Sequence, residues 1–359
     1  MLMQERWVCG RYLNNWSCFM IHTIRLLGLY LIIGSVLCSC SESPTENGGG
    51  GPEPEQPWRY FSYLAWHPGG EWIAVQHSDS LDTDGDGKKD RFFFGIWLIH
   101  AETAEKQPLL EGFTLPAWNT DGTKLAMVGS TQIFTIGVNN LEPAQIDSSS
   151  LLQLTFEGRN FFPAWSPDGQ WIVYDSNVND PSGANVLWKM YQDGSQKTDI
   201  SQHGVGEWRM PDWSPDGNSI VHQNYHTYAG GDIAIIDSDG QNLHLLTNDV
   251  KFDLYPRYSP NGYQVAFYSQ SAGHPGTIWV MNVDGSNLHQ ISPEGIYEFD
   301  WSPDGQQFIF SYVNHQDLND PGNGQLWLIN ADGSGLRQLT NFEYSGSLVE
   351  VKTAVFQSF

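Results

Sequence analysis

The chain has 359 residues, with 17 Lys and Arg against 41 Asp and Glu, and a formal net charge of −24. Charge of that sign repels nucleic-acid phosphates and anionic headgroups, which argues against direct binding to either. With 15 Trp, 37 Gly and only 16% charged residues, the composition is rich in strand and turn formers and ample for a large core.

Residues 1–39 read as a targeting segment. Met20–Arg25 is a short basic start, and Leu26–Leu37 is an apolar run of about a dozen residues, too short to span a bilayer but suited to a signal-peptide core. Translation from Met20 would leave out residues 1–19, which a signal does not need. The run ends in Leu37-Cys38-Ser39-Cys40, which resembles a bacterial lipobox with Cys40 as the lipidated residue. Cys38 fits that pattern less well because the larger Leu37 precedes it; an ordinary secretory signal is the alternative. All four cysteines (Cys9, Cys18, Cys38, Cys40) lie at or before this point, so the mature domain has no disulfide and relies on its core.

Ser41–Pro57, with Gly48–Gly51 and interspersed Pro and Glu, cannot bury a core. Residues 40–57 therefore form a lipidated flexible tether ahead of a folded domain over 58–359. Ser41 after the modified Cys resembles lipoproteins sent to the outer membrane. Leaving out Arg6, Arg11, Arg25 and Glu5 gives 14 basic and 40 acidic side chains after residue 39, a formal −26. A cationic partner or a divalent metal is electrostatically favoured.

From Ala65 onward one segment recurs. Ala65–Gly70, Ala117–Gly122, Ala164–Gly169, Asp212–Gly217, Arg257–Gly262 and Asp300–Gly305 share an aromatic anchor and a turn ending in Gly. The anchors Trp66, Trp118, Trp165, Trp213, Tyr258 and Trp301 are spaced by 52, 47, 48, 45 and 43 residues. A period in the forties with strand patterns inside each unit predicts a propeller. Ser-Pro-Asp-Gly suits a tight turn, with Pro presetting φ and Gly accepting a positive one. A β-rich run such as Trp171–Ser176 follows, then a third strand such as Ile278–Asn282. An Asp-Gly turn and a fourth strand ending in Leu-Thr complete the unit. The expectation is an all-β, six-bladed β-propeller of four-stranded antiparallel blades. Trp residues at repeat-equivalent positions are expected to pack between blades.

The first unit carries Asp82-Thr83-Asp84-Gly85-Asp86-Gly87-Lys88-Lys89-Asp90. Carboxylates at the first, third, fifth and ninth positions with Gly at the sixth match the first part of a looped Ca²⁺ site. Asp82, Asp84, Asp86 and Asp90 would ligate through side chains and Lys88 through its carbonyl. Phe93 stands where a twelfth-position ligand is needed, so another oxygen, such as Asp79, must complete the shell. The expected role is structural; the alternative is a solvated acidic hairpin tip.

These repeats resemble the TolB-like β-propeller family, whose pattern P-x-W-S-P-D-G, I-x-F/Y-x-S, I-W-x-x-x-x-D-G and L-T covers roughly four-fifths of the chain. The first unit departs with His67-Pro68-Gly69-Gly70, and the second lacks the Ser-Pro pair and the second-turn Asp-Gly. Similar repeats occur in propeller domains of prolyl-oligopeptidase-like peptidases and in some carbohydrate-active enzymes, so the resemblance implies a fold with many uses.

The loops of variable length lie on the face opposite the Ser-Pro-Asp-Gly turns, where function is expected. Connections there carry Phe113, Phe161, Trp208, Tyr255, Tyr297 and Tyr344, with Arg159, Arg209 and Arg257 nearby. They either floor a groove for a peptide or glycan, the arginines meeting carboxylates, or plug the channel mouth. No Gly-x-Ser-x-Gly elbow or hydrolase domain follows the propeller. The weak catalytic candidates are His222 and His226, with His203. On a strand that pair would stand about 13 Å apart, and His222, assigned the position of Ala266 in the next unit, would line a blade interior. Propeller lyases acting on acidic sugars use His-rich metal sites, so the resemblance keeps a lyase or hydrolase as the alternative. The main expectation is a lipid-anchored cell-envelope scaffold binding a protein, peptide or glycan; an envelope sensor is a third. Residues 348–359 alternate well enough to close the ring or begin a seventh blade.

Overall fold

The computed structural model describes residues 61–81, 91–178, 183–201, 207–227, 230–271, 274–312 and 324–342, together with the backbone of four strands before residue 41. The chain divides into two compact units, Met1–Glu55 and Gln56–Phe359. In the first, Asn15–Leu26 pairs antiparallel with Met3–Tyr12, Leu29–Ile33 and Cys38–Cys40. The second unit is the propeller.

Each repeat folds as an antiparallel meander. The first runs Ser62–Trp66, Trp72–Leu81, Arg91–His100, Lys106–Glu111, and the third Asn160–Trp165, Trp171–Ser176, Val186–Tyr191, Thr198–Asp199. The fourth and fifth meanders are joined by one parallel pair, Gly231↔Phe252, into a single eight-stranded sheet. Six repeats therefore appear as four four-stranded sheets and one eight-stranded sheet, a difference from the expected six separate blades. Its cause is the approach of the third strand of one repeat to the first strand of the next, close enough for a ladder bond.

The recurring turn is explained by its side chains. Gly169 donates to the carbonyl of Ser166 at 2.9 Å, and Ser166 Oγ accepts from Trp171 N at 2.9 Å. Asp168 in turn accepts from Ser166 Oγ and Gln170 N. The same arrangement recurs at Ser214 with Asp216 and at Ser302 with Asp304. In the second repeat Asn119 replaces Ser, its Oδ1 accepting from Lys124 N at 2.8 Å, which is how a unit without Ser-Pro keeps the turn. The turn glycines need positive φ, from 68° at Gly169 to 85° at Gly70.

The Leu-Thr signature also has a local cause. Thr155, Thr247 and Thr340 accept the first ladder N–H of the third strand, from Ile133, Ile233 and Leu326 at 2.8–2.9 Å, and Ser292 does the same for Ile278 at 2.7 Å. The hydroxyl supplies an acceptor where the short fourth strand no longer pairs.

Cores form between neighbouring meanders. Val173, Leu187, Trp208, Trp213 and Ile220 join the third to the fourth, and Phe61, Ile73, Trp97, Ile309 and Leu328 join the first to the last, closing the ring. Of the repeat-equivalent tryptophans, Trp97, Trp118, Trp165, Trp213 and Trp301 are at most 9% exposed, as expected for packing between blades.

Candidate binding funnel

Every innermost strand carries a register shift just before its aromatic anchor. In the middle four repeats Pro116, Pro163, Pro211 and Pro256 stand two residues before the anchor. Proline has no N–H for the ladder, so a bulge forms there. The preceding residues Leu115, Phe162, Met210 and Tyr255, with Tyr63 in the first repeat, take φ between 50° and 53°, unusual for non-glycine residues. Glu298 holds the equivalent place in the last repeat. Tyr63, Leu115, Phe162, Met210 and Tyr255 pack into one apolar cluster.

A cavity of about 370 Å³ lies among these innermost strands. Tyr63, Leu115, Phe162, Tyr255 and Glu298 line its inner end, and the turn residues Pro68, Thr120, Pro215, Pro260 and Pro303 line its mouth. Between them stand the residues one before each anchor. Ala65, Ala117 and Ala164 are small, whereas Asp212, Arg257 and Asp300 are charged. One half of the funnel wall is therefore apolar and the other ionic.

The charged half is built into the ring. Asp212 Oδ2 accepts from Tyr258 N at 2.9 Å and Asp300 Oδ2 from Trp66 N at 2.8 Å, each tying one repeat to the next. Burial raises the Asp300 carboxyl to about 6, against the lowering pull of Arg257 and its backbone bonds, and Asp212 is also raised. Glu298, 5% exposed, accepts from Tyr63 N. Burial lifts it to about 8, with Tyr63 N and Arg257 pulling the other way.

Of the sequence-expected groove residues, Tyr255 packs in one cluster with Phe161 and lies within electrostatic reach of Arg209 and Tyr297. Tyr255 and Arg257 line the funnel; Phe161, Trp208, Arg209 and Tyr297 do not. Trp208 is 2% exposed and stacks on His222, rings 4.8 Å apart. Arg209 lies over Phe162 and beside Asp175 and Glu207. Among the described residues the cavity is lined by turns of the Ser-Pro-Asp-Gly face, whereas the sequence pointed to the face of long loops. His222 aligns with Phe267 rather than Ala266, because Asp212↔Val221 and Arg257↔Ala266 are equivalent pairs. It is fully buried, with Nδ1 3.1 Å from the Gln223 carbonyl oxygen.

Asp82, Asp84, Asp86, Lys88, Asp90, His203, Tyr344, the side chains of His226 and Cys40, and the tail 348–359 lie outside the described residues. Among the described residues no three His, Cys, Asp or Glu side chains are grouped to hold a metal ion. Apart from Tyr255, the ring of residues three before each anchor was missed in the sequence because most of its members differ chemically. The signal was positional: a constant offset, with Pro following in four units.

A ring of four-stranded antiparallel meanders around a central cavity defines a β-propeller. Residues 205–345 match the family model described as TolB beta propeller domain. An uncharacterized protein of Agrobacterium fabrum (strain C58 / ATCC 33970) is 31% identical over 147 residues, 38% of this chain. The match spans 45% of that relative, so the chain covers under half its length. A solved structure assigned as a TolB, from Agrobacterium tumefaciens, superposes with TM-score 0.55 at 22% identity, covering 68% of this chain and 84% of that one. TolB from Acinetobacter baumannii gives 0.54 at 14% identity, covering 91% and 77%. An oligogalacturonate lyase in complex with manganese gives 0.52 at 14%, covering 81% and 80%. At such identities these structures speak to the fold alone.

Proposed function

We propose that this chain is an envelope-anchored binding module whose funnel takes part of a partner protein or peptide. The observation that carries this reading is the cavity of about 370 Å³ walled by alanines on one side and by Asp212, Arg257 and Asp300 on the other. Rigid walls, an apolar half and a few fixed polar groups are the features of a recognition site. In this reading the six repeats act as six blades, residues 40–57 tether them, and Cys40 carries the lipid that holds the domain at the outer membrane. Asp82, Asp84, Asp86, Lys88 and Asp90 hold a structural Ca²⁺.

The lyase or hydrolase alternative draws no support from His222, whose ring is enclosed in a packed stack. The test is affinity capture from native envelope extract with the domain from Ser41 onward, beside a Thr120→Trp variant. Thr120 is exposed at the funnel mouth, so the substitution blocks the mouth without entering the core. A partner held by the native domain and lost with Thr120→Trp supports the reading. Equal capture by both would sink it. Loss of fatty-acid labelling in Cys40→Ser tests the anchor.

A further inference from the structure

Neighbouring turns around the ring normally fill one another. A methyl group placed on Gly217 would stand 3.3 Å from Pro167, one on Gly262 3.5 Å from Pro215, and one on Gly305 3.5 Å from Pro260. Each turn proline thus packs over the glycine of the next turn. At the closing seam the contact is missing: Gly70 has nothing within 4 Å of such a methyl, although Pro303 precedes it around the ring. A second cavity, about 560 Å³, occupies this seam. It shares Trp66, Pro68 and Pro303 with the central funnel, so the two cavities adjoin at these side chains, one near the axis and one at the seam.

The chemistry of the two cavities selects their occupant. The repeat itself shows what fits over a turn glycine, since three other seams hold a proline ring there. Trp66 between Pro68 and Pro303 offers the aromatic, proline-flanked wall on which polyproline-type strands dock, at low entropic cost because such strands are already extended. Glu102, Asp304 and Arg337 line the seam, and Asp212, Asp300 and Arg257 line the funnel, where Glu298 keeps its proton up to about pH 8. Carboxylates outnumber guanidinium groups in both, which favours a basic segment.

We propose that the adjoining cavities, from funnel to closing seam, bind an extended segment of a partner protein that carries proline and lysine. This deepens the binding-module reading and rests on it. The probe is a synthetic heptapeptide of alternating lysine and proline, titrated into the solubilised full chain while Trp fluorescence and heat are followed. Its glutamate–proline counterpart serves as control. The blocking variant is Gly70→Asn, because Asn tolerates φ of +85° and its side chain would enter open space. Gly169→Asn is the matched control: its glycine also has nothing within 4 Å, but it lines neither cavity.

Expected results are saturable binding of the lysine–proline peptide, weakened about tenfold by Gly70→Asn and unchanged by Gly169→Asn. Arg337→Gln, an exposed change, should tighten binding about twofold by removing a cation that lines the seam. Equal affinity in Gly70→Asn and the native chain, no affinity for the lysine–proline peptide, or equal affinity for the glutamate peptide would overturn the proposal. An envelope partner lost with Thr120→Trp but retained by Gly70→Asn would overturn it while leaving the binding-module reading intact.

Discussion

The main-chain N–H of Trp66 donates to Oδ2 of Asp300 at 2.8 Å across 234 residues of sequence. That bond joins the first innermost strand to the last, and Tyr258 N to Asp212 repeats it between the fourth and fifth meanders. Asp300→Ala would leave a partly buried N–H without its acceptor, which costs about 1–3 kcal/mol. Asp300→Asn keeps a side-chain carbonyl oxygen in the same place and should lose less. Urea midpoints of the two variants decide the matter; equal losses would mean that the bond does not hold the ring closed.

Glu298 gives the domain a pH dependence of unusual direction for a carboxylate. Burial raises its folded pKa from 4.5 to about 8, so the folded state keeps a proton that the unfolded chain has released over that window. Stability therefore falls as pH rises from about 4.5 to about 8. Asp175, Asp253 and Asp300, each raised by burial to about 6, add in the same direction between 3.8 and 6. The groups felt at Glu298 are Tyr63, Tyr255 and Tyr297, whose phenols it raises, and Arg257, which opposes its protonation. The melting temperature should drop between pH 6.5 and 8.5, and Glu298→Gln should flatten that drop while still accepting from Tyr63 N. A profile identical in the variant would place the titration elsewhere.

Thr340 tests the Leu-Thr signature. Its hydroxyl accepts from Leu326 N at 2.9 Å and donates to Gln325 Oε1 at 2.7 Å, with the residue fully buried. Thr340→Val keeps the shape and removes both bonds, leaving a buried N–H unpaired at a cost of about 1–3 kcal/mol. Thr340→Ser should be close to native, since Ser292 does the same work for Ile278. Thermal unfolding that ranks Val and Ser together would show that the position is chosen for packing alone.

The parts legible in the sequence are those fixed by local chemistry. Ser166 and Asp168, Gly169 and Thr155 each act within a few residues or one hairpin, so a repeated string was enough to place turns and strands. The funnel was not legible, because it depends on register. The bulge that brings Tyr63, Leu115, Phe162, Tyr255 and Glu298 around one cavity leaves no shared residue type, only a shared offset of three from the anchor. The long loops drew attention to the opposite face because length variation is visible in a string and a cavity between short turns is not. The merging of the fourth and fifth meanders rests on one bridge, Gly231↔Phe252, which no pattern announces.

His222 separates packing from catalysis. It lies where the third, fifth and sixth repeats carry Tyr174, Phe267 and Phe310, and its ring stacks on Trp208 at 24° between planes. The first two repeats carry Val75 and Met127 there, so the position takes a large apolar or aromatic side chain and His222→Phe should change stability by less than about 1.5 kcal/mol. His222→Ala opens a cavity beside Trp208 and should cost about 2–4 kcal/mol. Capture of the envelope partner should be unchanged in His222→Phe. If that variant folds with native stability but loses a turnover measured on acidic glycans, the imidazole has a chemical role and the lyase alternative displaces the binding module.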